Sequence, residues 1–186
     1  MQNGAHLKQI AAALIRQDDT VLLVRQQGAE DPADSWALPG GVVEEGELLT
    51  EALVREVREE TGLEVLQVGP LAYLAQFDDP ADDHQTMAFV FEVREWRGAA
   101  QPADPDKVIL GLEFCALPDA ISRLQALSWP VMREPIVAYL RGEVSPASAW
   151  LYRRQAGPGA VLVAKLENRV PGFTPSSHAA YQETAA

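Results

Sequence analysis

The longest stretch of helical periodicity in the chain lies at residues 47–60, where apolar positions recur every three to four residues. At about 100° per residue, Leu49, Ala52 and Leu53 share one face, with Val57 at its margin, while Glu51, Val54 and Arg58 lie on or near the opposite side. Pro39, Gly40 and Gly41 supply an entry turn, and Gly62 supplies the stop that glycine commonly provides just past a helix end. Elsewhere the pattern is that of strands. Ile10 to Arg16 and Val21 to Gln26 read as a hairpin around Gln17-Asp18-Asp19-Thr20. Leu63 to Val68, Leu71 to Phe77 and Val108 to Leu117 read as further strands. Thr86 to Glu95 reads as another, with Met87, Phe89, Phe91 and Val93 in phase. Pro118 to Leu127 and Val131 to Leu140 read as helices, the second closed by Arg141-Gly142.

Strands and helices mix without strict alternation. This predicts an α/β protein with a mixed β-sheet covered by helices on two sides. Polar segments separate the elements. They are a loose lead-in at residues 1–8, a loop from Gly28 to Ser35, an aspartate-rich loop from Asp78 to His84, and a loop from Gly98 to Asp106. Residues 1–144 are assigned to the main domain and 145–186 to a C-terminal extension. In the extension, Ser148 to Arg154 and Ala160 to Leu166 suit a second hairpin around Gly157-Pro158-Gly159, followed by a frayed, Pro- and Ser-rich tail. Covering an edge strand, building a homodimer contact and lidding a site are all open roles for it.

The acidic residues of the 47–60 helix change the picture. Glu56 and Glu60 fall inside its apolar arc and Glu59 at the edge. Like charges at i,i+3 and i,i+4 oppose helix formation by a few tenths of a kcal/mol per pair, and partial burial of each carboxylate adds several more unless something compensates. Two readings stand: a solvated acidic face, or a site for divalent cations, whose hard-ligand preference carboxylates satisfy.

Spacing adds a resemblance. Gly41, Glu47, Arg55, Glu56, Val57, Glu59, Glu60, Gly62 and Leu63 fill every specified position of G-x5-E-x7-R-E-U-x-E-E-x-G-U, where U is aliphatic. The stretch resembles the Nudix box, and Trp36-Ala37-Leu38-Pro39-Gly40 resembles the usual lead-in to it. The resemblance implies a Nudix-type α/β/α sandwich and a hydrolase that cleaves a phosphoanhydride bond in a nucleoside diphosphate derivative. ADP-ribose, nucleotide-sugar and nucleoside triphosphate substrates are all within its scope. It implies Mg²⁺, with Mn²⁺ as the alternative, bound by Glu56, Glu59, Glu60 and the backbone carbonyl of Gly40. Arg55 and Glu47 match a supporting pair. A nucleotide-sensing protein of the same fold, without turnover, is the alternative from a different class.

The general base is not fixed by the motif: Glu95, Asp104, Asp106 and Glu113 are candidates, as are Glu56 itself and a metal-bound hydroxide. Where relatives often carry an Asp-Glu pair, this chain has Asp106-Lys107. Pro80 lies near the offset at which ADP-ribose-cleaving relatives tend to have proline, although a turn proline is the simpler explanation. Arg25 is a candidate phosphate contact. Trp36, Phe77, Phe89 and Trp96 are candidate base-stacking residues, each better explained by core packing.

The chain has 186 residues, 47% hydrophobic and 23% charged, with a formal net charge of −12. That charge opposes nonspecific nucleic-acid binding, which needs a basic field, but not a small anionic substrate that brings cations. Cys115 is the sole cysteine, so no intramolecular disulfide can form, and its apolar setting marks it as a core thiol. No apolar run reaches membrane-spanning length and no leader pattern precedes the first strand, so a cytoplasmic setting is the expectation.

Overall fold

The structure, a computed structural model, describes residues 6–26, 35–102, 108–155 and 159–167. Among these are nine strands, β1 (His6–Gln17), β2 (Thr20–Gln26), β3 (Ser35–Ala37), β4 (Gly40–Val42), β5 (Glu64–Asp79), β6 (His84–Arg97), β7 (Ile109–Ala116), β8 (Ser148–Arg154) and β9 (Ala160–Leu166). Three helices accompany them: α1 (Leu49–Thr61), α2 (Leu117–Gln125) and α3 (Pro130–Leu140). The strands form one mixed sheet in the order β3-β2-β1-β6-β5-β8-β9, with β4 beside β1 and β7 beside β2. β1 and β6 run parallel, as do β5 and β8.

Alternation along β1 explains the three layers. Ala11, Ala13 and Ile15 point to one face, where they join Leu22, Val93 and the Ala52, Leu53 and Val57 stripe of α1. Leu14 and Ala12 point to the other, among Tyr73, Phe77, Val90 and the apolar faces of α2 and α3. Successive strand residues face opposite sides, so a strand covered by helices on both faces must be apolar throughout. Leu53 is fully buried in the α1 layer, a contribution of about 1.5–3 kcal/mol for a side chain of this size.

Several sequence expectations hold. The first hairpin pairs Gln17 with Thr20, and Gly62 ends α1 at φ 69°, its N–H bonded to the Arg58 carbonyl. Cys115 is buried. Others are corrected. His6 to Lys8 are not lead-in but the start of β1, paired with His84 to Thr86. Gly40 and Gly41 are not a turn but the short strand β4, held against Ala11 and Ala12. The two strands expected at 63–68 and 71–77 are one. Gly69-Pro70, which reads as a break, is absorbed as a run of register shifts against β6. The aspartate-rich stretch is shorter than expected, because Asp78 and Asp79 end β5 and His84 begins β6. The hairpin past residue 145, by contrast, is present with the expected bounds and takes one of its open roles, β8 covering the β5 edge. The tail and most of the Gly28–Ser35 loop lie outside the described residues.

Candidate active site

The acidic face of α1 is assembled around one cation. Arg55 donates from Nε to Glu47 Oε1 (2.8 Å) and from Nη2 to Glu47 Oε2 (3.0 Å). Nη2 also donates to the carbonyl of Val42 (3.0 Å). Nη1 reaches Glu56 Oε1 (2.8 Å) and Glu59 Oε2 (3.2 Å). All three nitrogens of the guanidinium are thus engaged, tying the loop before the helix, strand β4 and two carboxylates one and four residues along. Glu47 also accepts the Glu44 N–H at 2.9 Å, which folds the loop back onto the helix entrance.

Electrostatics follow from this geometry. The Arg55 hydrogen bonds, helped by the Glu44 amide, hold the Glu47 carboxyl down at about 2. Arg55 is pushed above its ordinary range, chiefly by Glu47. Glu56 moves the other way: burial raises its pKa, and the neighbouring Arg55 only partly opposes this.

Strand β4 is the second organiser. The Gly40 N–H donates to Glu60 Oε2 at 2.8 Å, and Glu60 is only 8% exposed. A Cβ on Gly41 would stand 2.3 Å from Glu56 Oε1, and one on Gly40 would stand 2.4 Å from the Ala11 carbonyl oxygen. Gly40 therefore requires glycine, since the backbone of β1 presses on it, whereas at Gly41 a side chain fits only if the Glu56 carboxylate gives way. Gly40 enters the site through its amide, a contact that the sequence motif does not announce.

The structure thus brings Glu47, Arg55, Glu56 and Glu59 into one network and seats Glu60 beside it on Gly40. Among the described residues no three acidic, histidine or cysteine side chains already converge as an ion-binding cluster. The donor set nonetheless suits a hard divalent cation: three carboxylates surround one guanidinium, the buried Glu60 stands beside them on Gly40, and burial already disfavours the charge on Glu56. Among the general-base candidates, Glu113 is paired with Arg123 of α2 at 2.8 Å and aligns with Leu23, whose side chain lies on the α2 and α3 side of the sheet, away from α1. Glu95 is exposed on β6, and Asp104 and Asp106 lie outside the described residues.

A cleft of about 740 Å³ opens on the face of the sheet opposite α1. Its floor is built from rows of paired residues: Ala12, Val90 and Tyr73, then Ile10, Ala88 and Ala75, then Lys8, Thr86 and Phe77. Leu124, Leu127, Trp129 and Ile136 form the helical wall. Gly40, Gly41 and Val42 line one end, so the strand that seats the α1 carboxylates also borders the cleft. Of the proposed stacking residues only Phe77 lines it; Trp96 packs on Phe114 with ring centroids 5.5 Å apart, and Arg123 lies over Trp36. Sequence reasoning missed the cleft. The one available signal was the recurrence of alanine at in-phase strand positions, Ala12, Ala75 and Ala88, which leaves open space where larger side chains would fill it.

These features coincide with a match to a known family. The NUDIX domain model matches residues 6–138. The CTP pyrophosphohydrolase of Escherichia coli is 43% identical over 56 residues, covering 30% of this chain and 42% of that protein. The ADP-ribose pyrophosphatase of Methanocaldococcus jannaschii is 37% identical over 83 residues, covering 43% of this chain and 47% of that protein. The matches thus span less than half the length of these two curated relatives. In three dimensions, the E. coli ORF135 protein superposes with a TM-score of 0.59 and 25% identity, over 76% of this chain and 91% of that one.

Proposed function

The chain belongs to the NUDIX domain family, and on that premise we propose that it hydrolyses a phosphoanhydride bond in a small nucleotide, either a nucleoside diphosphate derivative such as ADP-ribose or a nucleotide sugar, or a nucleoside triphosphate. The observation that carries this reading is the double role of Gly40 to Val42. One side of this strand receives Glu56 and Glu60, and the same residues border a cleft large enough for a nucleotide. The names of relatives that act on CTP and ADP-ribose support the substrate class.

In the reaction, the oxygen of water bonds to phosphorus, the bridging oxygen leaves with its electron pair, and a proton of the water passes to a base. Glu56, Glu59 and Glu60 would hold divalent cations, Mg²⁺ or Mn²⁺, together with the Gly40 carbonyl. A bound divalent ion supplies charge neutralisation on the diphosphate and lowers the pKa of the attacking water. The protein's own part is positional. Arg55 fixes Oε1 of Glu56 and Oε2 of Glu59, so each carboxylate keeps its second oxygen outside these bonds. Glu47 fixes Arg55 in turn, as groups behind a ligand shell commonly do.

The test is product release from ADP-ribose, nucleotide sugars and nucleoside triphosphates with Mg²⁺ or Mn²⁺, with Glu60→Gln alongside. Turnover of one class that is lost in the variant is the expected result. Tight nucleotide binding without turnover would instead identify a sensor.

A further inference from the structure

At the end of the cleft away from Gly40 stands an arginine that the hydrolytic reading leaves unused. Arg154 is the last residue of β8 and lies past the stretch matched by the family model. Its Nε donates to Oδ2 of Asp79, a carboxylate only 2% exposed, whose Oδ1 in turn accepts the Ala81 N–H at 3.3 Å. The guanidinium carbon lies 5.4 Å from the Phe77 ring centroid and 5.9 Å from that of Trp129, and those two rings meet edge to face. Arg154, Asp79, Phe77 and Trp129 all line the cleft. The side chain is thus held from one edge and from beneath while remaining 30% exposed. Among the described residues the Nη1/Nη2 edge has no hydrogen-bond acceptor, and its donors are left for whatever enters.

We propose that Arg154 reads the nucleobase, and that the cleft selects purines carrying a keto oxygen at position six (hypoxanthine, guanine) over adenine, which has an amino group in its place. This rests on the nucleotide reading of the same cleft and narrows it, away from adenine substrates such as ADP-ribose. A guanidinium offers donors only, so a keto oxygen, alone or with a neighbouring ring nitrogen, accepts from both η nitrogens. An amino group would set donor against donor and leave both desolvated. The surroundings favour a neutral base over a second phosphate: Asp79 already neutralises Arg154, Asp82 balances Lys8 at this end, and the walls are apolar and aromatic. Position agrees as well. Lys8 and Ala12 mark the two ends of the floor on β1, four residues or about 13 Å apart at the usual rise, a span suited to an extended nucleoside with its phosphates at the glycine end.

The experiment compares inosine and adenosine triphosphates, whose bases differ at position six, as kcat/KM with Mg²⁺. The corresponding diphosphates are titrated calorimetrically, which needs no turnover. Two variants accompany the wild type. Arg154→Lys keeps a cation facing Asp79 but loses the two-pronged edge; the double change Asp79→Asn with Arg154→Met removes both charges, so that no buried carboxylate is stranded. The wild type should prefer the inosine nucleotides at least about tenfold, and both variants should bring the two within about twofold through KM, with the adenosine nucleotides unimpaired. Equal use of both by the wild type, or an equal loss for both in the variants, overturns the assignment; the second result would give Arg154 to phosphate or to structure. Base discrimination in binding without turnover would overturn the hydrolase reading and leave the Arg154 assignment standing. Neither binding nor turnover overturns both.

Discussion

Arg55 and Glu47 are joined by two parallel hydrogen bonds of 2.8 and 3.0 Å, and the same guanidinium touches Glu56 and Glu59. A planar fork with five donors can serve four partners at once; an ammonium cannot. Arg55→Lys is therefore expected to lower kcat by roughly 10- to 100-fold despite the conserved charge, with a smaller change in KM. Steady-state kinetics on the best nucleotide of the panel check this. An unchanged kcat would show that the network is a surface ion pair, worth under about 1 kcal/mol.

Glu60 sits largely buried on the Gly40 amide. Glu60→Gln preserves the size and the acceptor oxygen but not the charge. Activity should fall on the order of a hundredfold or more while thermal stability stays level or rises, because a desolvated charge has been removed. Parallel kinetics and thermal melts separate this outcome from simple unfolding.

Two adjacent glycines should fail differently. At Gly41 the added methyl meets the end of a side chain, Glu56, which can move; Gly41→Ala should stay folded and lose activity. At Gly40 it meets the β1 backbone at 2.4 Å, and φ is 151°. Gly40→Ala should destabilise the protein by about 3 kcal/mol. Denaturant midpoints for the two variants check the contrast.

Glu47 carries a pH signature. Its pKa falls from 4.5 to about 2 on folding, so its contribution is complete above pH 4.5 and is lost as the pH drops from there towards 2. Melting temperatures of wild type and Glu47→Gln should converge across that window. A constant difference down to pH 2 would show that the Arg55 bridge adds nothing pH-dependent.

Much of this protein was legible in the sequence because its cues are local. The 3.6-residue stripe on α1, the Gly62 stop and the first hairpin each depend on neighbours a few residues away, and the spacing of Arg55, Glu56 and Glu59 places them on successive turns of α1, whereas Glu47 lies in the loop before it. Chain order alone also indicated a mixed sheet between helical layers. The tertiary structure decided what depends on distant segments. Gly40 and Gly41 read as a turn because glycine permits one, but β1 and the α1 carboxylates press from both sides and make them a strand. Residues 63–68 and 71–77 read as two strands, but a bulged pairing against β6 absorbs Gly69-Pro70 and makes them one. Asp79 read as one of four loop aspartates; Arg154, 75 residues on, makes it a buried partner at the cleft wall. Periodicity records which way a side chain points, whereas only packing brings to it a partner from far along the chain.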